Sequence, residues 1–330
     1  MSDTDQAKKV AVLTVFTSET AKGNAAAVVI TPERLSFAER TKLGVELADP
    51  ATATAFISHP TLLQQLDGAD FTSPRPTISW TRYNGQSLPL CGHGTAAGVQ
   101  YLLQNVLKTT SNVTFDYYFG DTAETETVRG TILTLTEGVK FGVDLPAAHP
   151  GRDLTPEEQT EVESVFCSAT GLSPKDIVAT VASISGYNGP GLTTNVTIQI
   201  KPSVDLGALK LDYDKLSTLR FRGIFVTSEW PEHRADSAFR SRIFFPKTGL
   251  LEDNACGSAH TFLVPWWIST YPAKFESYAE KTEDGGPRYR VPADQPSPLG
   301  AKMEIVWDGK WRDEGGRCIL MGEGIVLKEF

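Results

Sequence analysis

Two short segments, Leu90-Cys91-Gly92-His93-Gly94-Thr95 and Asn254-Ala255-Cys256-Gly257-Ser258-Ala259, each set a cysteine ahead of a glycine turn and an apolar run of helical length. They lie half a chain length apart in 330 residues, so each half of the chain holds one copy. That pattern constrains the fold to two similar halves, each presenting a thiol at the head of a buried helix. One thiol from each half, set across a shared cleft, suits a particular chemistry. A thiolate removes a proton from carbon and a thiol returns one on the opposite face.

The length agrees with duplication, since a chain of this size is expected to form two domains of roughly 150 residues. Pro146 to Thr155 is rich in Pro, Gly and polar residues and reads as the linker, giving domains at 1–148 and 149–330. In the first half, β-branched and apolar runs predict strands at Val10–Phe16, Ala26–Ile30, Ala53–Ser58, Thr77–Thr81, Val113–Phe119, Thr127–Leu135 and Lys140–Leu145. A helix is expected over Ser36–Leu47, with Ser36 and Glu39 at capping-box spacing, and a buried one over Thr95–Leu103. The second half repeats the order loosely. Helices are expected at Pro156–Thr170 and near Tyr213–Leu219, and strands at Ile177–Ile184, Asn195–Ile200, Gly223–Thr227, Ser237–Phe244, Lys302–Trp307 and Cys318–Leu327. The helix after the second thiol turn runs through Trp266-Trp267, which read as core. Thr270–Ser297, rich in charge, Gly and Pro, reads as an exposed loop or flap. Strands outnumber helices, so the class is α+β in two copies rather than a parallel βαβ sheet.

Composition narrows the function. Hydrophobic residues make up 40% and charged residues 22%, which supports packed cores rather than a disordered or fibrous chain. A net charge of −9 excludes a general attraction for nucleic acid or anionic membrane, both of which call for basic patches. No run approaches the roughly 18 apolar residues of a spanning helix. Met1–Lys9 is too polar for a secretory signal, so the cytosol is the expected compartment. Cys91, Cys167, Cys256 and Cys318 are too scattered for a disulfide scaffold or a zinc site, and no glycine-rich nucleotide motif occurs. No metal or cofactor is therefore expected, and the chemistry rests on side chains.

A helix N-terminus favours anions, so its amides and macrodipole should acidify both Cys91 and Cys256. Gly92, Gly94 and Gly257 let backbone amides approach a bound anion, so the turns could also grip a substrate carboxylate. His93, Asp253 and Ser258 flank the thiols, and Asn24 lies in an earlier turn. Arg82, Arg242 and Arg317 are candidates for meeting the carboxylate. Cys167 and Cys318 read as structural, and His59, His149, His233 and His260 show no partner pattern.

The chain resembles the PhzF-like (phenazine biosynthesis-like) family, relatives of diaminopimelate epimerase and proline racemase. The resemblance shows in Phe16-Thr17 through Gly23-Asn24-Ala25-Ala26-Ala27-Val28-Val29, and in Leu88-Pro89-Leu90-Cys91-Gly92-His93-Gly94-Thr95. It continues in Ser241-Arg242-Ile243-Phe244-Phe245-Pro246, in Glu252-Asp253-Asn254-Ala255-Cys256-Gly257-Ser258-Ala259 and in Gly315-Gly316-Arg317. It implies two similar lobes, each a mostly antiparallel β-sheet rolled around a central helix, with a cofactor-free active site between them. Relatives often dimerise, so a homodimer is implied as well. The resemblance carries His93, Asp253 and Ser258 over as polar groups lining the cleft. Two departures matter. The acidic residue that moves the proton in the family's namesake falls on Ala53, and the family's usual Thr is Cys256.

That replacement restores the cysteine pair of the epimerase and racemase branches. The leading expectation is a racemase or epimerase, independent of cofactors, acting at a carbon alpha to a carboxylate in an amino or imino acid. Cys91 and Cys256 would be its acid/base pair, and Asn24, Gly92, His93, Gly94, Asp253, Gly257 and Ser258 its substrate contacts. The alternatives are a PhzF-like shift of a proton and double bond through His93 and Asp253, and an idle scaffold that binds a small acid.

Overall fold

The helix that follows Cys91 is buried on every side, and strands enclose it. Residues 8–49, 52–61, 74–108, 112–184, 195–232, 234, 236–282 and 286–330 are described in a computed structural model of the chain. They form two compact units, one of Met1–Leu145 with Leu320–Phe330 and one of Pro146–Ile319. Among the described residues no helix is long and apolar enough to cross a membrane.

In the first unit β1 (Lys9–Val15) pairs antiparallel with β2 (Asn24–Thr31), and α1 (Phe37–Glu46) crosses over to β3 (Ala53–Ser58), which lies parallel to β2. Ser36 and Glu39 close the expected capping box at the start of α1. Next, β4 (Thr77–Arg82) pairs antiparallel with β3 and with the short β5 (Ser87–Leu88). The thiol turn and α2 (Gly92–Gln100) follow, and α2 runs on as a π-helical turn over Tyr101–Val106. Then come β6 (Thr114–Phe119), parallel to β4, and the meander of β7 (Thr127–Glu137) and β8 (Lys140–Pro146). After β17 (Arg317–Gly322), the last strand of the chain, β18 (Gly324–Glu329), pairs with the free edge of β1, and the Gln100 side chain donates to Gly324 O at 2.5 Å. Ala96, Ala97, Val99, Leu102 and Leu103 are buried beneath β1, β2 and β3.

The second unit repeats this pairing. After α3 (Pro156–Thr170), β9 (Ile177–Ser183) pairs antiparallel with β10 (Asn195–Ile200). The short α4 (Tyr213–Leu216) crosses to β11 (Ile224–Ser228), parallel to β10, and β12 (Phe239–Phe245) pairs antiparallel with β11. β13 (Leu250–Asp253) turns back on β12 and delivers the second thiol to α5 (Gly257–Thr270). Beyond α6 (Pro272–Phe275) and β14 (Ala279–Lys281), β15 (Pro287–Gln295) lies parallel to β12, as β6 lies to β4, and pairs with β16 (Ala301–Trp307). Most pairs are antiparallel, and the class is α+β. Val162 and Phe166 of α3 pack on Val196, Ile198, Ile224 and Val226. Trp267 is core as expected, stacked on Phe239 and donating to Thr227 Oγ1 at 3.0 Å.

One expectation needs correction. Thr270–Ser297 is not a solvated flap. Its described part contains α6, β14 and β15, and Val291, Ala293, Asp294 and Gln295 are buried, while 283–285 lie outside the described residues. The charges that suggested a loop sit on its exposed face, where Arg290 pairs with Glu280 and Glu304. Pro146–Thr155, read as the linker, begins where the first unit gives way to the second and is well ordered by its contacts. Ala147 and Ala148 are buried and bonded to Gly316 O and Thr261 O, and Arg152 bridges Ala182.

The turn that presents Asn24 depends on Gly23, at φ 81, where an added Cβ would meet Val15 O at 2.3 Å. Gly171 has a similar φ of 75 at the end of α3, but nothing lies within 4 Å of its missing Cβ. Gly171→Ala should cost about 1 kcal/mol for the left-handed backbone alone. Gly23→Ala should cost about 2–4 kcal/mol, because backbone must also move. Urea unfolding of both variants checks this, and equal losses would refute the tight turn.

Candidate active site

Cys91 caps α2 with its sulfur. Its backbone is extended, at φ −136 and ψ 105, and the amide of Gly94 donates to Sγ at 3.4 Å. The hydroxyl and amide of Thr95 close on Cys91 O at 2.7 and 2.9 Å. The turn is tight at Gly94, where a Cβ would come within 3.1 Å of both Cys91 Sγ and Trp80 Cδ1, so that these side chains would have to give by a few tenths of an ångström. The His93 ring lies beside the thiol, Nδ1 at 3.5 Å and Nε2 at 3.8 Å from Sγ. Nε2 is also 3.1 Å from Thr52 Oγ1. Thr52 has one hydroxyl proton, and its two neighbours, Asn24 Oδ1 at 3.0 Å and Ala25 O at 3.2 Å, are acceptors. With its proton given to one of these, the hydroxyl receives a bond from His93 Nε2–H, and in that tautomer the unprotonated Nδ1 faces Cys91 Sγ. Asn24, Thr52, His93 and Cys91 thus form one chain ending at a sulfur.

Cys256 occupies the matching position at the start of α5 but has different company. Its amide donates to Gln295 Oε1 at 2.9 Å, and Gln295 Nε2 donates to Asp253 O, so one side chain of β15 clamps both ends of the turn. Ser297 Oγ adds a bond to Asn254 O at 3.2 Å. Cys256 Sγ lies 3.5 Å from Ser258 Oγ, and the Asp253 carboxylate accepts from the amide of Ala255 at 3.3 Å. His260 Nδ1 donates to Cys256 O at 2.8 Å, so its Nε2 accepts from Ser241 Oγ at 3.2 Å. Complete burial lowers the His260 pKa to about 4, so the ring is neutral. The expected acidification of both thiols does not hold here. Burial, and then the nearby Asp253 charge, push the Cys256 thiol well up, and its bonds to Ser258 and Ala259 do not offset them. Cys256 is held protonated.

The predicted residues therefore fall into two groups, each local to its own unit. Asn24, Cys91, Gly92, His93 and Gly94 stand together in the first, and Asp253, Cys256, Gly257 and Ser258 in the second. Thr52, Gln295 and the bonded role of His260 were missed. Thr52 and Gln295 are far in sequence from the thiols they serve, and only His260, one helical turn past Cys256, carried a sequence signal. Arg242 is no carboxylate ligand. It is buried, pairs with Glu252 through two bonds of 2.7 Å, and donates to Leu206 O and Leu209 O. His59 bonds Pro74 O and Thr61, and His149 pairs with Asp313, while His233 lies outside the described residues. Cys318 is buried against Thr261 O and Cys167 is half-buried on α3.

Comparison with known proteins gives a consistent answer. The family described as phenazine biosynthesis-like protein, PhzC-PhzF, matches residues 13–286. A mouse protein, phenazine biosynthesis-like domain-containing protein 2, is 29% identical over 76% of this chain and 80% of its own. A protein of Halalkalibacterium halodurans described as an uncharacterized isomerase is 26% identical over 89% of this chain and 95% of its own. The crystal structure of a phenazine biosynthesis protein of the PhzF family from Enterococcus faecalis shares the fold, with TM-score 0.69 and 21% identity over 98% of both chains. A predicted epimerase from Pseudomonas aeruginosa aligns with TM-score 0.62 and 14% identity over 98% of both chains.

His260 also sets a pH limit. In the unfolded chain it takes a proton near 6.5, but in the folded protein not until about 4, so the unfolded state binds more protons in that window. The contribution is full above pH 6.5 and is lost as pH falls towards 4, by about 3 kcal/mol in all. His260→Gln should flatten that part of the stability–pH curve measured by urea unfolding. An unchanged slope would show that His260 is not the group responsible.

Proposed function

The chain belongs to the phenazine biosynthesis-like family, and from that premise we propose that it is a cofactor-independent racemase or epimerase. Isomerase is the description carried by several of its curated relatives. The substrate is an amino or imino acid with a hydrogen on the carbon alpha to its carboxylate. Cys91, once His93 Nδ1 has taken its proton, is the thiolate that removes this hydrogen and becomes a thiol. Cys256, held protonated, gives its hydrogen to the opposite face and becomes the thiolate. Proton number is conserved through the exchange, and the reverse direction uses the same two sulfurs with roles swapped.

One observation carries this reading: the two thiols sit at equivalent cap positions of equivalent elements, yet one faces an imidazole acceptor and the other a carboxylate. An acid and a base are the pair that a two-base inversion needs. The first-turn amides of Gly92 and His93, and of Gly257 and Ser258, lack intrahelical acceptors by their place in the helix. They supply donors for the carboxylate and for the carbanion's developing charge, each worth about 3–4 kcal/mol in comparable sites. Asp253 is the group to meet a substrate ammonium. The reading requires both sulfurs within about 3.5 Å of one carbon.

The test is proton exchange in deuterium oxide, followed by NMR over a panel of D- and L-α-amino and imino acids. The native enzyme should exchange the α-hydrogen of its substrate and invert the centre. Cys91→Ala and Cys256→Ala should each lose inversion by at least a thousandfold, each keeping slow exchange of one enantiomer. Cys256→Thr should fail as Cys256→Ala does. A fully active Cys256→Thr variant would instead point to a proton and double-bond shift through His93 and Asp253.

A further inference from the structure

Adjacent residues of a strand project to opposite faces of the sheet, and on β12 the two faces carry different chemistry. Ser241 points to His260, which in turn bonds the backbone carbonyl of Cys256. Its neighbour Arg240 lines a recess of about 500 Å³ in the second unit, walled by Pro202, Val204, Trp230, Pro231 and Arg234. Arg240 is only 4% exposed, yet among the described residues no carboxylate pairs with it. Its Nη2 donates to Pro202 O at 2.9 Å and Val204 O at 2.8 Å, and its Nε meets no acceptor. Asp205 also lines the recess, but its Oδ1 accepts from the amides of Gly207 and Ala208. Glu232 lies at the exposed rim. Arg234 is matched by Asp236 through two bonds. Both guanidinium groups lie over the Trp230 ring, at 4.3 Å for Arg234 and 4.9 Å for Arg240.

A buried guanidinium with no carboxylate in contact, and only the charge of Asp205 acting on it from a distance, is unfavourable, and the open space beside it is where an anion would restore the balance. We propose that this recess is a second small-molecule site, separate from the thiols, for an organic carboxylate with an apolar body. The carboxylate pairs with Arg240, and the apolar part lies against Pro202, Val204 and Pro231. Among oxyanions the single compensating cation and apolar walls suit a monoanion better than phosphate, which calls for more donors.

Benzoate is the probe, with inorganic phosphate as its comparison, and calorimetry on the full-length protein is the readout. Benzoate should bind saturably at one site, and more tightly than phosphate. Ser203→Trp changes an exposed turn residue and fills the recess without touching a buried charge, so it should abolish binding. Arg240→Gln should weaken binding at least tenfold, whereas Cys91→Ser should leave it unchanged. The proposal is overturned if benzoate does not bind, if phosphate binds more tightly, or if Cys91→Ser abolishes binding while Ser203→Trp leaves it intact.

Discussion

A helix that is apolar around its whole circumference cannot lie on a surface, and this fold contains two of them. Seven consecutive residues of α2, Gly94 to Gln100, are buried, and so is nearly all of α5 from Gly257 to Ile268. Each must be enclosed by sheet, which explains why strands dominate the chain and why the same sequence of parallel and antiparallel pairings appears twice. Enclosure leaves the first turn of each helix as the place where amides without intrahelical partners must be answered. A cysteine stands at both places.

The repeat is one of backbone, not of chemistry. At Cys91 the sulfur itself caps the helix, and the imidazole beside it is turned by Thr52 so that an accepting nitrogen faces the thiol. At Cys256 the nearby imidazole is spent on a backbone carbonyl and a serine hydroxyl, and the group that faces the thiol electrostatically is a carboxylate. The same helix-start field therefore acts on both sulfurs, while their local partners differ. At the second, desolvation outweighs the field. The two units share a backbone plan around the thiol, and a few neighbours of each sulfur make the surroundings different.

Much of this was legible in the chain. The thiol turns, the capping box at Ser36 and the α3 boundaries depend on residues close in sequence, and local rules reach them. Thr52 and Gln295 were out of reach because each acts on a turn some 40 residues away through a fold that local patterns do not encode. Gln295 was further hidden by its setting, since the charges of Glu280 to Arg290 advertise solvent while alternate residues of the same strand face inward. Arg242 was legible as a cation but not as a satisfied one, because its partner Glu252 lies across the β12–β13 turn. The burial that holds Cys256 protonated is likewise a property of packing, and no reading of the helix start alone could supply its sign.

The pairing of β1 also bears on how the protein is made. This strand leaves the ribosome well before β18, and in the fold it lies between β2 and β18. Its second edge stays open until β18 has been translated, after the whole of the intervening unit. The first unit is thus begun before the second and closed after it, with an exposed ladder of amides and carbonyls in the interval. A nascent chain of this topology offers cellular chaperones a long window in which to act, and synthesis halted before β18 would leave the sheet unfinished.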